Sequence, residues 1–182
     1  MNSLDSNIFN FLYSFTNRSE ILDLFLVFTA KVLPWLLAFW IIYTIFRKKE
    51  WGNDRPVWKN RFQYLSLGFM AVILSRGVVA NIINSVFQSP RPFNFLGIEP
   101  LIAHAANGSF PSGHMSILIP LVMLLFMVSK KAAWWSLILT LIVGIARVTV
   151  GVHWPIDILG GIGVGVLSFF AVKVLFDKKK LI

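Results

Sequence analysis

The 182-residue chain contains no cysteine, and only 14% of its residues are charged. Without cysteine there is no disulfide and no thiol chemistry, although that absence says nothing about compartment. An average soluble domain carries roughly 25% charged residues. A chain of this size that is 57% hydrophobic has nowhere to hide its apolar surface in water, which excludes a soluble globular domain. Acidic residues are scarce, eight in all, and the three histidines are far apart in sequence. No metal-ligand cluster is legible, so neither a metal nor any other cofactor is expected. The first residues lack a basic stretch and carry Asp5 instead. No cleavable signal peptide is therefore expected, and targeting falls to the first spanning helix.

What the chain does have is apolar runs of about 20 residues, the length that crosses a bilayer. Residues 4–16 are apolar but too short to span, and read as a helix lying in the membrane interface. Spans are expected at about 21–46, 62–88, 112–129, 132–150 and 156–176. The fold class is then an all-α integral membrane protein of about five transmembrane helices plus a short N-terminal interfacial helix. One membrane-embedded domain, 1–182, accounts for the chain, with no repeats and no second domain.

The net charge of +9 is concentrated between the runs. Arg47, Lys48, Lys49, Arg55, Lys59 and Arg61 fall in one loop, Lys130 and Lys131 in a turn, and Lys178, Lys179 and Lys180 in the tail. Alternation of spans puts all three segments on one side, which the positive-inside rule makes the cytoplasm. Nucleic acid is the rival partner for basic clusters, and so apolar a chain excludes it. The opposite face receives His104, His114, His153, Arg91, Glu99 and Asp157. Chemistry is therefore expected at the outer face of the membrane.

Three segments converge there. In Ser89-Pro90-Arg91-Pro92-Phe93, two prolines stiffen the backbone around a guanidinium suited to gripping phosphate. Taken alone, this is equally an interfacial arginine in a turn. In Phe110-Pro111-Ser112-Gly113-His114, Ser112 is positioned as an N-cap and Gly113 admits close approach to the backbone. The free N–H groups of a helix start attract anions, and His114 could donate a proton to a leaving oxygen. Taken alone, this is equally a capped helix with an interfacial histidine. The third segment runs from Arg147 to Asp157. Pro155 suits the first position of a helix, and Asp157 in its first turn is within reach of His153. A carboxylate on one imidazole nitrogen leaves the other free to attack, while the same pair could merely pin a helix end. Two arginines, two histidines, an aspartate and an anion-ready helix start on one face favour function over structure, since ionisable groups near spans are costly.

These segments resemble the signature motifs of the type-2 phosphatidic acid phosphatase superfamily, K-x6-R-P, P-S-G-H and S-R-x5-H-x3-D. The chain offers Arg91-Pro92, Pro111-Ser112-Gly113-His114 and Arg147-x5-His153-x3-Asp157, in that order. The resemblance implies that His153 is the nucleophile, forming a phosphohistidine. Asp157 would orient it and His114 would protonate the leaving group. Arg91, Ser112, Gly113 and Arg147 would hold the phosphoryl oxygens, without a metal. Two positions depart from the pattern. The family lysine falls at Asn84, and the serine before the second arginine is Ala146.

The stretch 101–112, LIAHAANGSFPS, is similar to the corresponding loop of the bacitracin-resistance undecaprenyl diphosphate phosphatases, and that resemblance implies a subfamily that also lacks the lysine and carries a Pro-Arg-Pro-Phe segment. It implies hydrolysis of a polyprenyl diphosphate to the monophosphate, recycling a cell-wall lipid carrier. Phosphatidylglycerol phosphate and lipid A are the alternative substrates within the family, and a transporter or non-catalytic lipid-binding protein is the alternative outside it. The partners are this lipid and the bilayer. To replace the missing lysine, Asn84 could donate a neutral hydrogen bond, and two spans contain a cation. An unbroken helix would hold Arg76 roughly 22 Å from the level of Arg91, which ranks Lys31 ahead of Arg76 as the auxiliary ligand. The alternative is that both cations snorkel or pair structurally.

Overall fold

The computed structural model describes residues 3–51, 55–105 and 107–178; Asn53, Ala106 and the tail lysines Lys179 and Lys180 lie outside the described residues. Among the described residues every regular element is helical. Helices occur at all five expected spans. They are α1 (Ser3–Tyr13), α2 (Glu20–Lys31), α3 (Leu33–Arg47), α4 (Val57–Val72), a π-helical segment (Ile73–Val79), α5 (Ala80–Phe87), the short α6 (Pro92–Leu96), α7 (Gly113–Val128), α8 (Lys130–Thr149) and α9 (Pro155–Lys178).

Three stretches, Val57–Leu96, Lys130–Thr149 and Pro155–Lys178, are long and apolar enough to cross a membrane, and α2 with α3 makes a fourth that bends by 45°. Helix α7 has only 16 residues, or about 24 Å against a hydrocarbon core of about 30 Å. It is apolar on every side, as a helix enclosed by protein must be. It packs against α3, α4, α8 and α9, and Leu118, Val122, Leu124 and Leu125 are buried along its length.

Glycine makes the closest of these contacts possible. A Cβ on Gly161 would stand 2.6 Å from the Ser112 carbonyl oxygen, and one on Gly165 would stand 2.8 Å from Ile119 Cβ. Spaced four apart, these two glycines form one face of α9 and let α7 approach it, the small-residue packing typical of membrane helices. This contact fixes the start of α7 against the start of α9, where two of the three sequence segments lie.

Two prolines inside apolar helices shape the bundle further. Proline cannot supply the N–H that would bond the carbonyl four residues earlier. Pro34 thus breaks the first span at Val32 and leaves the Ala30 carbonyl without its helical donor. Pro120 does the same to Ser116 within α7. Both freed carbonyls are taken up by polar side chains from other elements. Arg147 Nη1 donates to Ala30 O over a long 3.4 Å, and Ser75 Oγ donates to Ser116 O at 2.6 Å.

The N-terminal helix does more than lie in the interface. Its Phe9 is fully buried and packs against the Trp154 ring, centroids 4.8 Å apart and planes tilted by 56°. Asp5 Oδ1 accepts the Ile156 N–H at 2.9 Å, one of the donors at the start of α9. Helix α1 therefore braces the turn that carries His153.

Candidate active site

The start of α9 is built around one carboxylate. Asp157 Oδ2 accepts the Trp154 N–H at 2.8 Å, so a first-turn acid reaches back to the residue before the helix, half of a capping box. The same oxygen lies 3.2 Å from His153 Nδ1. Asp157 Oδ1 receives Ser109 Oγ at 3.4 Å, and the Asp157 backbone carbonyl receives the Ser112 N–H at 2.9 Å. One residue thus joins the start of α9, the loop before α7 and the start of α7. Because Oδ2 faces Nδ1, the imidazole proton resides there and Nε2 is left with its lone pair. His153 is buried. Burial first, then the charges of Arg147 and Arg91, push its pKa well below the ordinary histidine value, so the ring is neutral at pH 7.

The two arginines are held differently. Arg91 donates from Nη1 to Val152 O at 2.8 Å, from Nε and Nη2 to Asn107 Oδ1 at 3.3 and 3.0 Å, and from Nη2 to Gly108 O at 3.2 Å. Its Nη1 also lies 3.5 Å from His153 Nε2. Arg91 is thereby locked against the edge of the His153 ring. Among the described residues, Arg147, in the last turn of α8, has only its long bond to Ala30, and its Nε and Nη2 are buried with no partner. Ser112 Oγ is buried without a partner as well. Ser112 does sit at the N-cap of α7, but its hydroxyl caps nothing. Unpaired buried donors cost roughly 1–3 kcal/mol each, more if charged, so this cluster is strongly matched to an anion.

A cavity of about 290 Å³ gathers these groups; Arg91, His104, Gly113, His114, Arg147 and His153 all line it. Three larger pockets are lined by no histidine, so size does not mark the chemistry. Among the described residues, no three His, Cys, Asp or Glu side chains come together as a metal site.

A model of the PAP2 superfamily matches residues 63–181, about two-thirds of the chain. The chain belongs to the PAP2 superfamily. It is 28% identical over 173 residues to the undecaprenyl-diphosphatase BcrC of Bacillus subtilis, a match covering 92% of this chain and 81% of that one. It is 29% identical over 180 residues to the bacitracin transport permease protein BcrC of Bacillus licheniformis, covering 98% and 82%. The crystal structure of Aquifex aeolicus LpxE superposes with a TM-score of 0.74 at 20% identity, covering 94% of this chain and 95% of that one. The protein is thus a multi-pass membrane phosphatase with the PAP2 fold.

Against the PAP2 pattern, two sequence readings change. Asn84, at the family lysine's position, is not a free donor. Its Nδ2 bonds the Gly108 and Phe110 carbonyls at 2.8 and 3.1 Å, and two carbonyl partners fix that nitrogen as the amide's NH2 end. Asn84 holds the loop that carries Asn107 and Ser109. Lys31 is exposed and does not line the cavity, whereas Arg76 does. The helix does not run unbroken from 76 to 91, so the expected separation in depth does not arise. It contains the π segment, and its last α-helical stretch ends at Phe87, where Gln88 adopts a left-handed φ of 36°. The Arg91 side chain then returns to the level of the cavity.

Sequence reasoning also missed supporting residues. His104 stands edge-on to His153 with ring centroids 6.3 Å apart, and burial lowers its pKa. Asn107 seats Arg91, Ser109 reaches Asp157, and Trp154 Nε1 donates to Pro90 O at 3.0 Å, tying the Arg91 segment to the His153 turn. The advance signal for Asn107 and Ser109 was their presence in the stretch 101–112, and His104 was also placed on the outer face with the other histidines.

Proposed function

We propose that this chain hydrolyses a polyprenyl diphosphate to the monophosphate and phosphate through a phosphohistidine, without a metal ion. The observation that carries the reading is the set of buried donors on Arg147 and Ser112, unpaired among the described residues, beside a neutral His153 whose Nε2 keeps its lone pair with Arg91 Nη1 3.5 Å away. The terminal phosphoryl group would sit against Arg147, Ser112 and Gly113. His153 Nε2 attacks its phosphorus as the bond to the bridging oxygen breaks, and His114 gives that oxygen its proton. The prenyl monophosphate leaves. Water, deprotonated by His114, then attacks the phosphohistidine and releases phosphate, restoring both histidines. Asp157 holds the Nδ1–H and offsets the positive charge that the ring acquires. Arg91 and Arg147 stabilise the transferring group, the work a metal would otherwise do.

The lipid has a path. Ile117 of α7 lines both the polar cavity and an apolar groove of about 470 Å³ formed with Ile41, Phe62, Phe69 and Leu121. A prenyl chain leaving the cavity at Ile117 would lie in hydrocarbon. Similarity along most of the chain to an undecaprenyl-diphosphatase supports the diphosphate over other lipids. Arg47, Lys48, Lys59, Lys130 and Lys131 lie at the ends of the helices remote from His153, which supports a site on the outer face of a bacterial cytoplasmic membrane.

The test is phosphate release by purified protein from polyprenyl diphosphates, phosphatidylglycerol phosphate and lipid A. Preference for the diphosphates is expected. Turnover of either phospholipid with the diphosphates untouched would overturn the substrate assignment.

A further inference from the structure

A third cation in the cavity, beside Arg91 and Arg147, has no part in the transfer step. Arg76 lies within an apolar run, where an unpaired charge is costly and is kept for a reason. Among the described residues no carboxylate pairs with it. It is instead aimed by a small polar cassette. Ser75 is anchored to the carbonyl that Pro120 frees at Ser116. Arg76 Nη1 donates to Asn81 Oδ1, and Asn81 Nδ2 donates to Gly77 O at 3.0 Å. All three residues are in or next to the π segment, a distortion common at functional positions. The guanidinium then lies across Gly113, where a Cβ would stand 2.7 Å from Arg76 Nε. Glycine at the start of α7 is what admits it.

We propose that Arg76 is the ligand for the second, non-transferred phosphate of a diphosphate, and so makes the site selective for diphosphate over monophosphate esters. The inference rests on the reaction proposed above. With the terminal phosphoryl group at Arg147 and His153, the bridging oxygen faces His114. The remaining phosphate falls beyond it, on the side where Arg76 crosses Gly113, next to His114. Trp35, Asn81 and Ile117 line the cavity with Arg76, and Ile117 also begins the apolar groove, so this side leads to the lipid tail. The negative charge on the departing monophosphate needs a cation there, and Asn84 cannot supply one. Its two amide hydrogens are already committed to Gly108 and Phe110.

The test compares inhibition by inorganic pyrophosphate with inhibition by inorganic phosphate, using whichever lipid phosphate the wild-type protein turns over best. Arg76→Gln should weaken pyrophosphate inhibition by about 10- to 100-fold, the loss of one charge-assisted contact, and phosphate inhibition by less than about 3-fold. Arg76→Lys should recover most of the difference, and melting temperatures should hold. Equal weakening of both inhibitors, no weakening, or a collapse in melting temperature without selective loss would overturn the proposal. Because the inhibitors carry no lipid, a wild-type protein that prefers a phospholipid would refute the substrate reading while the inhibitor ratio still decides the role of Arg76.

Discussion

Asp157→Asn separates charge from orientation at His153, the proposed nucleophile. Asp157 Oδ2 faces two donors, the Trp154 N–H at 2.8 Å and His153 Nδ1 at 3.2 Å, while Oδ1 faces only the Ser109 hydroxyl. An asparagine cannot turn its NH2 toward a backbone N–H. The Trp154 amide therefore forces the carboxamide oxygen into the Oδ2 position and the NH2 toward Ser109 Oγ, which can accept. The imidazole keeps its Nδ1–H tautomer, unlike triads in which the amide flips and the tautomer is lost. What disappears is the charge on the acceptor. A charged hydrogen bond contributes about 1.5–3 kcal/mol and a neutral one about 0.5–1.5. The contact tightens as the ring gains positive charge, so the barrier should rise by about 1–2 kcal/mol, roughly 5- to 30-fold in kcat. Stability should change little, because the variant removes a buried charge while keeping its partners. Single-turnover phosphate release at saturating lipid measures the effect, with thermal melting alongside. An Asp157→Asn protein as inactive as His153→Ala would show that the tautomer was not preserved. Wild-type turnover would show that the charge on Asp157 plays no part.

His153→Ala should abolish turnover and the acid-labile phosphoprotein trapped from wild type, at an unchanged melting temperature; a persisting phosphoprotein would move the nucleophile elsewhere. Because burial and the neighbouring arginines lower the His153 pKa in the folded protein, the unfolded chain takes up a proton below about pH 6.5 that the folded chain does not. That contribution to stability is intact above the ordinary histidine range and is lost on acidification, by about 1.4 kcal/mol per pH unit. Ligand-free melting temperatures should fall from pH 7 to 5 and fall less in His153→Gln; equal slopes would contradict it. Turnover should survive EDTA, and a loss restored by a divalent ion would count against a metal-free step. An impermeant thiol reagent should reach Ala105→Cys from outside and Lys59→Cys only from the cytoplasm, and the reverse would invert the topology.

Sequence alone located the spans, because a bilayer demands about 20 apolar residues wherever the chain crosses it. It also located the motif residues. Pro155 and Asp157 announce a helix start, and the spacing from His153 to Asp157 puts the two within one turn. Those are local relations, and local sequence carries them. The break at Val32 was also local, with Pro34 in plain view, but the hydrophobic run continued across it and hid the bend. What only the tertiary structure decided is depth and partnership. The level of Arg76 relative to Arg91 depended on a π segment and on the left-handed residue at Gln88, neither of which leaves a periodic signature. The role of Asn84 depended on where the Gly108 and Phe110 carbonyls ended up, some 25 residues along the chain. The carbonyls freed by Pro34 and Pro120 found donors on Arg147 and Ser75, residues far away in sequence. Each of these is a pairing between a backbone group and a distant side chain. Such pairings are set by how the helices pack, and packing is a property of the whole chain at once.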